Sequence, residues 1–271
     1  MTPARSLQYL RAAHAGIRAW GGPACSWALP QPRRVGAEAL DHLQADDPLA
    51  RESRRDLARV HRAMGTQAIV HRAWKALLPA GRVRSPLRIL ELGAGDGTLL
   101  LGVARRLQGA WPAVELTLLD RLPLVSPATL AAYAALGWTA RAQVADVRDW
   151  AATTADTATP PWDLVSTALF VHHFEGRQLQ ALLAGIARST PRFFACEPHR
   201  GWLAHAGSHL VGALGANAVT RHDAVASVRA GFRGQEITAQ WPRSDGPWQC
   251  HEARAGLFSH VFSAHCAGPH A

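Results

Sequence analysis

The chain has 271 residues, 48% hydrophobic and 18% charged, the composition of a folded globular protein long enough for one large domain or a domain with a cap. Its formal charge of +9 comes almost wholly from arginine, with Lys75 the only lysine, and no basic block interleaves with aromatics, so charge distribution argues against a nucleic-acid partner. No apolar run of about eighteen residues occurs and the first twenty positions lack a continuous hydrophobic segment, so neither a membrane span nor a signal peptide is expected.

Residues 1–46 show little periodicity. Leu7, Leu10 and Ile17 fit one face of a helix, but Gly21, Gly22, Pro23, Pro30 and Pro32 break any continuation of it. From Asp47 the pattern turns helical: Leu57, Val60 and Met64 share a face, with Arg51, Arg54, Arg55 and Arg62 largely elsewhere. After Gly65 a second helix sets Val70, Trp74, Leu77 and Leu78 at the i, i+4, i+7, i+8 spacing and ends near Pro79 and Gly81. Residues 1–84 therefore read as a helical cap, and 85–271 as the domain it covers.

Leu87, Ile89 and Leu90 begin an alternation of strand and helix. A helix spans Thr98 to Leu107, a second strand Val114 to Leu119 ends on Asp120, and Ser126 with Pro127 starts a helix that Gly137 closes. Further strands are expected at Ala140–Ala145, ending on Asp146, at Asp163–Thr167, and at Arg192–Cys196, ending at Glu197, with a helix through Leu179, Leu182, Leu183 and Ile186. The tail offers an apolar helix carrying Leu203, Leu210 and Leu214, a short helix near Arg221–Arg229, and strands at Gln235–Trp241 and Leu257–Ser263. The order predicts an α/β fold: a parallel sheet covered by helices on both faces, with a further pair of strands in the tail. Glu91, Asp120, Asp146 and Glu197 then all fall at or near carboxyl ends of strands, the edge where an open α/β sheet forms its ligand crevice. Cys25, Cys196, Cys250 and Cys266 are far apart, the thiols of a reducing, cytoplasmic setting.

The stretch LRILELGAGDGT, residues 87–98, places glycines in a strand-to-helix turn, where the backbone adopts unusual dihedrals and a ligand approaches where a Cβ would collide. The spacing Glu91-x-Gly93-x-Gly95-x-Gly97 is not G-x-G-x-x-G, because an acid stands two positions before the first glycine. It resembles the first motif of the class I S-adenosylmethionine-dependent methyltransferases. That resemblance covers residues 85–200 well and the rest loosely, and it implies a Rossmann-like, seven-stranded, mostly parallel sheet in which the last strand is inserted antiparallel. It implies that Glu91, Gly93, Ala94 and Gly95 meet the amino-acid part of the cofactor. Asp120, with Arg121 beside it, would meet the ribose hydroxyls, Asp146 and the Val147 NH the adenine, and Thr167 would complete the cofactor set. Asp120 and Asp146 also have a plainer reading as turn or cap residues.

After the fourth strand the [D/N]-P-P-[Y/F] motif of base and amide methyltransferases is missing; Pro160, Pro161 and Trp162 precede the strand and read as a stiff loop. FVHHF, Phe170–Phe174, and VTRHDAVASVRAGF, Val219–Phe232, instead resemble bacterial small-molecule methyltransferases, which implies a small acceptor without naming it; methylation at the oxygen of a phenol or carboxylic acid is the expected reaction. Histidine suits proton removal near neutral pH. His172, His173 and His222 are the candidate bases, with Glu197 or Asp223 to orient an imidazole; Phe170, Phe174, Glu197, Arg221 and Asp223 are candidates for the acceptor side. His205 and His209 stand four apart on one helix, but no third ligand is evident, so no metal site is expected. A non-catalytic cofactor-binding accessory protein and an RNA methyltransferase are the alternative readings. Oligomeric state is not encoded in any pattern found.

Overall fold

The computed structural model describes residues 32–78, 85–154, 162–242 and 246–266. The expected helix around Leu7–Ile17 lies outside the described residues, as does Cys25. Seven strands form one sheet: β1 Leu87–Leu92, β2 Val114–Asp120, β3 Trp138–Val144, β4 Leu164–Ala168, β5 Arg192–Pro198, β6 Trp248–Ala255 and β7 Ser259–Cys266. Their order is β3-β2-β1-β4-β5-β7-β6. The first five pair in parallel, while β7 runs antiparallel between β5 and β6.

Eight α-helices stand among the described residues: α1 Pro48–Met64, α2 Thr66–Leu77, α3 Thr98–Leu107, α4 Pro127–Ala134, α5 Val147–Thr153, α6 Gly176–Ser189, α7 Trp202–Leu210 and α8 Ala218–Ala230. Local chemistry sets their ends. Asp47 caps α1 by accepting from the Leu49 and Ala50 NH groups, and Pro48 fills the first helical position, where no NH is needed. Gly65 then stops α1 in the left-handed region at φ 68°. Ser126 caps α4 as its sequence suggests, accepting from the Thr129 NH.

Strand alternation sends Leu87 and Ile89 to one face of the sheet and Leu90 and Leu92 to the other. On the first face Val70, Trp74 and Leu78 pack with α3 and β2, so α2 shares the core of the sheet. A ladder of rings extends there: Trp74 stacks on Trp111 at 5.9 Å, Trp111 on Trp138 at 6.3 Å, and Tyr133 on Trp138 at 6.2 Å. These contacts account for three of the ten tryptophans. On the other face α6 supplies Leu179, Leu183 and Ile186, joined by Phe193, Phe232, Trp241 and Phe262.

Four expectations are corrected. Gln235–Trp241 is not a strand: it holds a 3-10 turn at Thr238–Gln240, because the buried Glu252 carboxylate accepts from the Ile237 NH at 3.0 Å and the Thr238 NH at 2.8 Å. The sixth strand is the polar edge strand β6, and β7 begins two residues later than its apolar pattern suggests. Helix α1 buries Ala50, Ser53 and Asp56, not a stripe of Leu57, Val60 and Met64. Asp56 accepts from the Asn217 NH at 2.7 Å and the Thr220 hydroxyl at 3.1 Å, so this helix docks on α8 through buried polar groups. Around α7 the buried residues are Ala204, His205, Ser208 and Val211, while Leu210 and Leu214 are exposed.

Trp74 is fully buried and donates its Nε1–H to Ser166 Oγ at 3.2 Å. Trp74→Ala should cost about 3–5 kcal/mol, the usual loss for a large buried ring. A lowered urea midpoint at an unchanged m-value, with loss of near-UV dichroism from the indole stack, checks this.

Candidate functional site

A cavity of about 660 Å³ opens at the carboxyl edge of the parallel strands. One wall is the glycine turn. Gly93, Gly95 and Gly97 all take left-handed dihedrals, at φ 67°, 58° and 75°. At Gly93 a Cβ would sit 2.3 Å from the Phe170 ring, whereas over Gly95 nothing lies within 4 Å, so the turn is closed behind and open in front.

Asp120, the last residue of β2, is fixed by two backbone donors: the Gly95 NH reaches Oδ2 at 2.9 Å and the Leu122 NH reaches Oδ1 at 3.0 Å. Each oxygen keeps acceptor capacity, so vicinal hydroxyls suit it. Asp146 lies two residues past β3 and caps α5 through the Arg148 NH at 2.8 Å. The Arg148 guanidinium grips the same carboxyl at 3.0 and 2.6 Å, holding it down at about 2. Glu91 continues the Leu87–Ile89 face of β1 and carries a carboxyl into an apolar layer. Burial pushes it up to about 8, against a hydrogen bond with Ser166 and with help from the Glu197 charge. Its Oε2 is buried with no partner among the described residues, although Glu91 lines the cavity. A cationic group would satisfy that oxygen.

The opposite wall begins where the chain leaves β4. Leu169 bends at φ 53°, a conformation that costs a bulky side chain, and Phe170–Phe174 crosses the cavity with a 3-10 turn at Val171–His173. Glu197, fully buried on β5, organises this turn. Its Oε1 accepts from the Phe170 NH at 3.2 Å and the Val171 NH at 3.0 Å, and its Oε2 from the His172 NH at 3.3 Å and His172 Nδ1 at 2.8 Å. The turn's carbonyls go to Arg33, which donates to His172 O at 2.9 Å and Phe174 O at 2.8 Å.

His172 points its Nε2 to Glu38 at 3.3 Å, and Glu38 also accepts from the Ser227 hydroxyl. Burial alone would lower this imidazole, but the hydrogen bonds to Glu197 and Glu38 carry it up to about 9. His173 moves the other way, lowered by burial and by its charged neighbour. Its Nδ1 lies 3.6 Å from Asp41, which also pairs with Arg121 at 3.0 Å.

The cavity thus brings together Glu91, Gly93, Ala94, Gly95, Asp120, Arg121, Asp146, Val147, Phe170, Phe174, His172 and His173. It does not bring in the rest of the expected set. Thr167 is fully buried in β4, and Glu197 lies behind the wall it organises. Arg221 packs beside Gly212 and His222 is exposed, bonded to Asp223 at 3.0 Å. Asp223 instead caps the 3-10 turn Ala39–His42, accepting from the Ala39 NH at 2.7 Å and the Leu40 NH at 2.9 Å. Sequence reasoning missed Glu38, Asp41, Arg54 and Gln67 on this cavity. Glu38 and Asp41 carry no local signal, because their contacts are made with residues far along the chain. His61 also lines the cavity, neutral because burial pushes it down to about 4.

No protein-family model matches the chain, and no curated protein matches it in sequence. Solved structures do match. The plantazolicin methyltransferase BpumL in complex with SAH superposes with a TM-score of 0.52 at 13% identity, over 82% of this chain and 91% of that one. Its complex with SAH and a monoazolic desmethylPZN analog gives 0.53 at 13% identity, over 81% and 91%. The DszA carbon methyltransferase gives 0.55 at 14% identity, over 84% of this chain and 62% of that one. At such identities the likeness is one of architecture: the chain has the Rossmann-like, seven-stranded fold that these methyltransferases share.

Proposed function

We propose that this protein is an S-adenosylmethionine-dependent methyltransferase acting on a small molecule, at the oxygen of a phenol or carboxylic acid. The observation that carries the reading is one cavity with an open glycine turn, Asp120 and Asp146 on one wall and the histidine pair on another. The residues present fit the cofactor. Glu91 offers a partnerless buried oxygen to an α-ammonium, Asp120 a doubly anchored carboxylate to ribose hydroxyls, and Asp146 with the Val147 NH an edge for adenine. That the neighbouring BpumL structures contain SAH supports this choice.

Bound S-adenosylmethionine supplies a methyl group on a sulfonium, open to in-line displacement. The chain's own part is to align the acceptor and keep water away. Phe170 and Phe174 offer ring faces to an aromatic acceptor, stacked edge-to-face 5.3 Å apart. His172 and His173 stand beside them, with His172 oriented by Glu197. Oxygen as the methylated atom rests on the missing [D/N]-P-P-[Y/F] motif and the histidine pair; the DszA enzyme, of the same fold, is a carbon methyltransferase.

Calorimetric titration with S-adenosylhomocysteine should show one site in the native chain. Asp120→Ala and Asp120→Asn should each weaken it by roughly 10- to 100-fold, the worth of hydrogen bonds to a charged group. No binding by the native chain would overturn the reading, and binding without methyl transfer to phenols, acids or amines would favour an accessory role.

Glu91 makes a second, independent check. With its pKa raised to about 8, folding takes up a proton between the ordinary carboxylate range and pH 8, so its contribution to stability falls as pH rises through that window. An ammonium placed on Glu91 ionises it. Binding at pH 7 should therefore release up to one proton, seen as a dependence of binding heat on buffer ionisation enthalpy, and Glu91→Gln should abolish the release.

A further inference from the structure

On the acceptor side, where the proposed function places the histidine pair, the wall facing the glycine turn gathers a compact group of donors. Glu38, His172 and His173 each offer one ligand atom, and these atoms all lie within 4.8 Å of one another. All three residues line the cavity. Ligands at opposite sides of a divalent ion with bonds near 2.1 Å stand about 4.2 Å apart, so closing on an ion asks for a contraction of roughly 0.6 Å. His172 Nε2 and Glu38 Oε1, at 3.3 Å, already have nearly the spacing of neighbouring ligands, which is about 3.0 Å at a right angle.

The donors are also held from behind. Glu197 occupies His172 Nδ1, which leaves Nε2 facing Glu38 and the cavity, and an ion bound there takes the place of the proton that Nε2 shares with Glu38, released to solvent; a carboxylate behind a ligating imidazole fixes tautomer and ring orientation. Ser227 holds the Glu38 carboxyl, and Asp223 holds the backbone directly after it at Ala39 and Leu40. Asp41, 3.6 Å from His173 Nδ1, is a fourth donor within reach and the second oxygen.

We propose that Glu38, His172 and His173 bind one divalent transition-metal ion on the acceptor side of the cavity. Two imidazoles with carboxylate oxygens select zinc, cobalt, iron or manganese over calcium and magnesium. Positions of the ion not taken by protein would face the cavity, where an acidic oxygen of an acceptor fits. Sequence spacing could not show this, because Glu38 and His172 are 134 residues apart.

The test uses the full chain, stripped with chelator and free of nucleoside, titrated with Co²⁺ alone and then with Zn²⁺ in competition. One equivalent of Co²⁺ should be bound with visible d–d absorption, bleached by Zn²⁺. Glu38→Gln, which keeps a partner for Ser227, and His173→Ala should each weaken uptake at least 10-fold. Glu197→Gln should weaken it by about 10- to 100-fold through loss of orientation. His205 and His209, whose rings lie 4.9 Å apart on α7, are a competing histidine pair, and His209→Ala should change nothing. Absence of stoichiometric uptake by the native chain overturns the proposal, as does uptake that survives both Glu38→Gln and His173→Ala, or that is lost in His209→Ala. Because no nucleoside is present, failure here is separate from failure of S-adenosylhomocysteine binding.

Discussion

A single buried carboxylate, Glu197, holds one wall of the cavity in shape. A chain leaving a buried parallel strand must find partners for NH groups that no longer pair in the sheet. Here three successive NH groups, from Phe170 to His172, and the His172 ring all converge on Glu197, while Arg33 takes two carbonyls of the same segment. The charge itself is costly to bury and is tolerated only because so many donors meet it; removing one partner from such an arrangement usually costs about 3–5 kcal/mol. The Phe170–Phe174 segment is therefore a fixed wall, and the bend at Leu169 is borne by the same contacts.

The two walls of the cavity differ in how they handle charge. On the glycine side Asp120 and Asp146 are satisfied by backbone NH groups and Arg148, whereas Glu91 is left with one oxygen unpaired in an apolar layer. Burial holds Glu91 in its neutral form until about pH 8, so that side accepts a cation more readily than an anion. On the facing side two carboxylates, Glu197 and Glu38, flank one imidazole. Phe170 links the two walls, its ring closing the back of Gly93 and packing edge-to-face on Phe174.

Legibility in the sequence tracks the range of the interactions concerned. The glycine turn, the Ser126 cap and the carboxylates at strand ends are encoded by neighbours a few residues apart, and the parallel part of the sheet shows in the strand–helix alternation, whereas the strand order is set by pairing between distant segments. Helix α1 misleads because its buried face is polar: Ser53 and Asp56 look like solvent residues until Asn217 and Thr220 are placed against them. Gln235–Trp241 has the apolar alternation of a strand, yet Glu252 captures its NH groups before a sheet can. Arg221, His222 and Asp223 share a helix turn that faces the Ala39–His42 turn and solvent, so membership of a suggestive string is no guide to their place.

The segment with the least sequence pattern turns out to join the two walls. Residues 38–42 carry Glu38 to His172, while Asp41 reaches Arg121, next to Asp120, on one side and His173 on the other. Asp223 satisfies the two NH groups that open this turn, and burial raises its carboxyl, against those same hydrogen bonds and that of His222. None of these contacts is apolar, so none leaves a hydrophobic period to be read. Asp41 stands between a guanidinium next to Asp120 and the His173 ring, and α8 anchors the turn that carries it through the Asp223 cap.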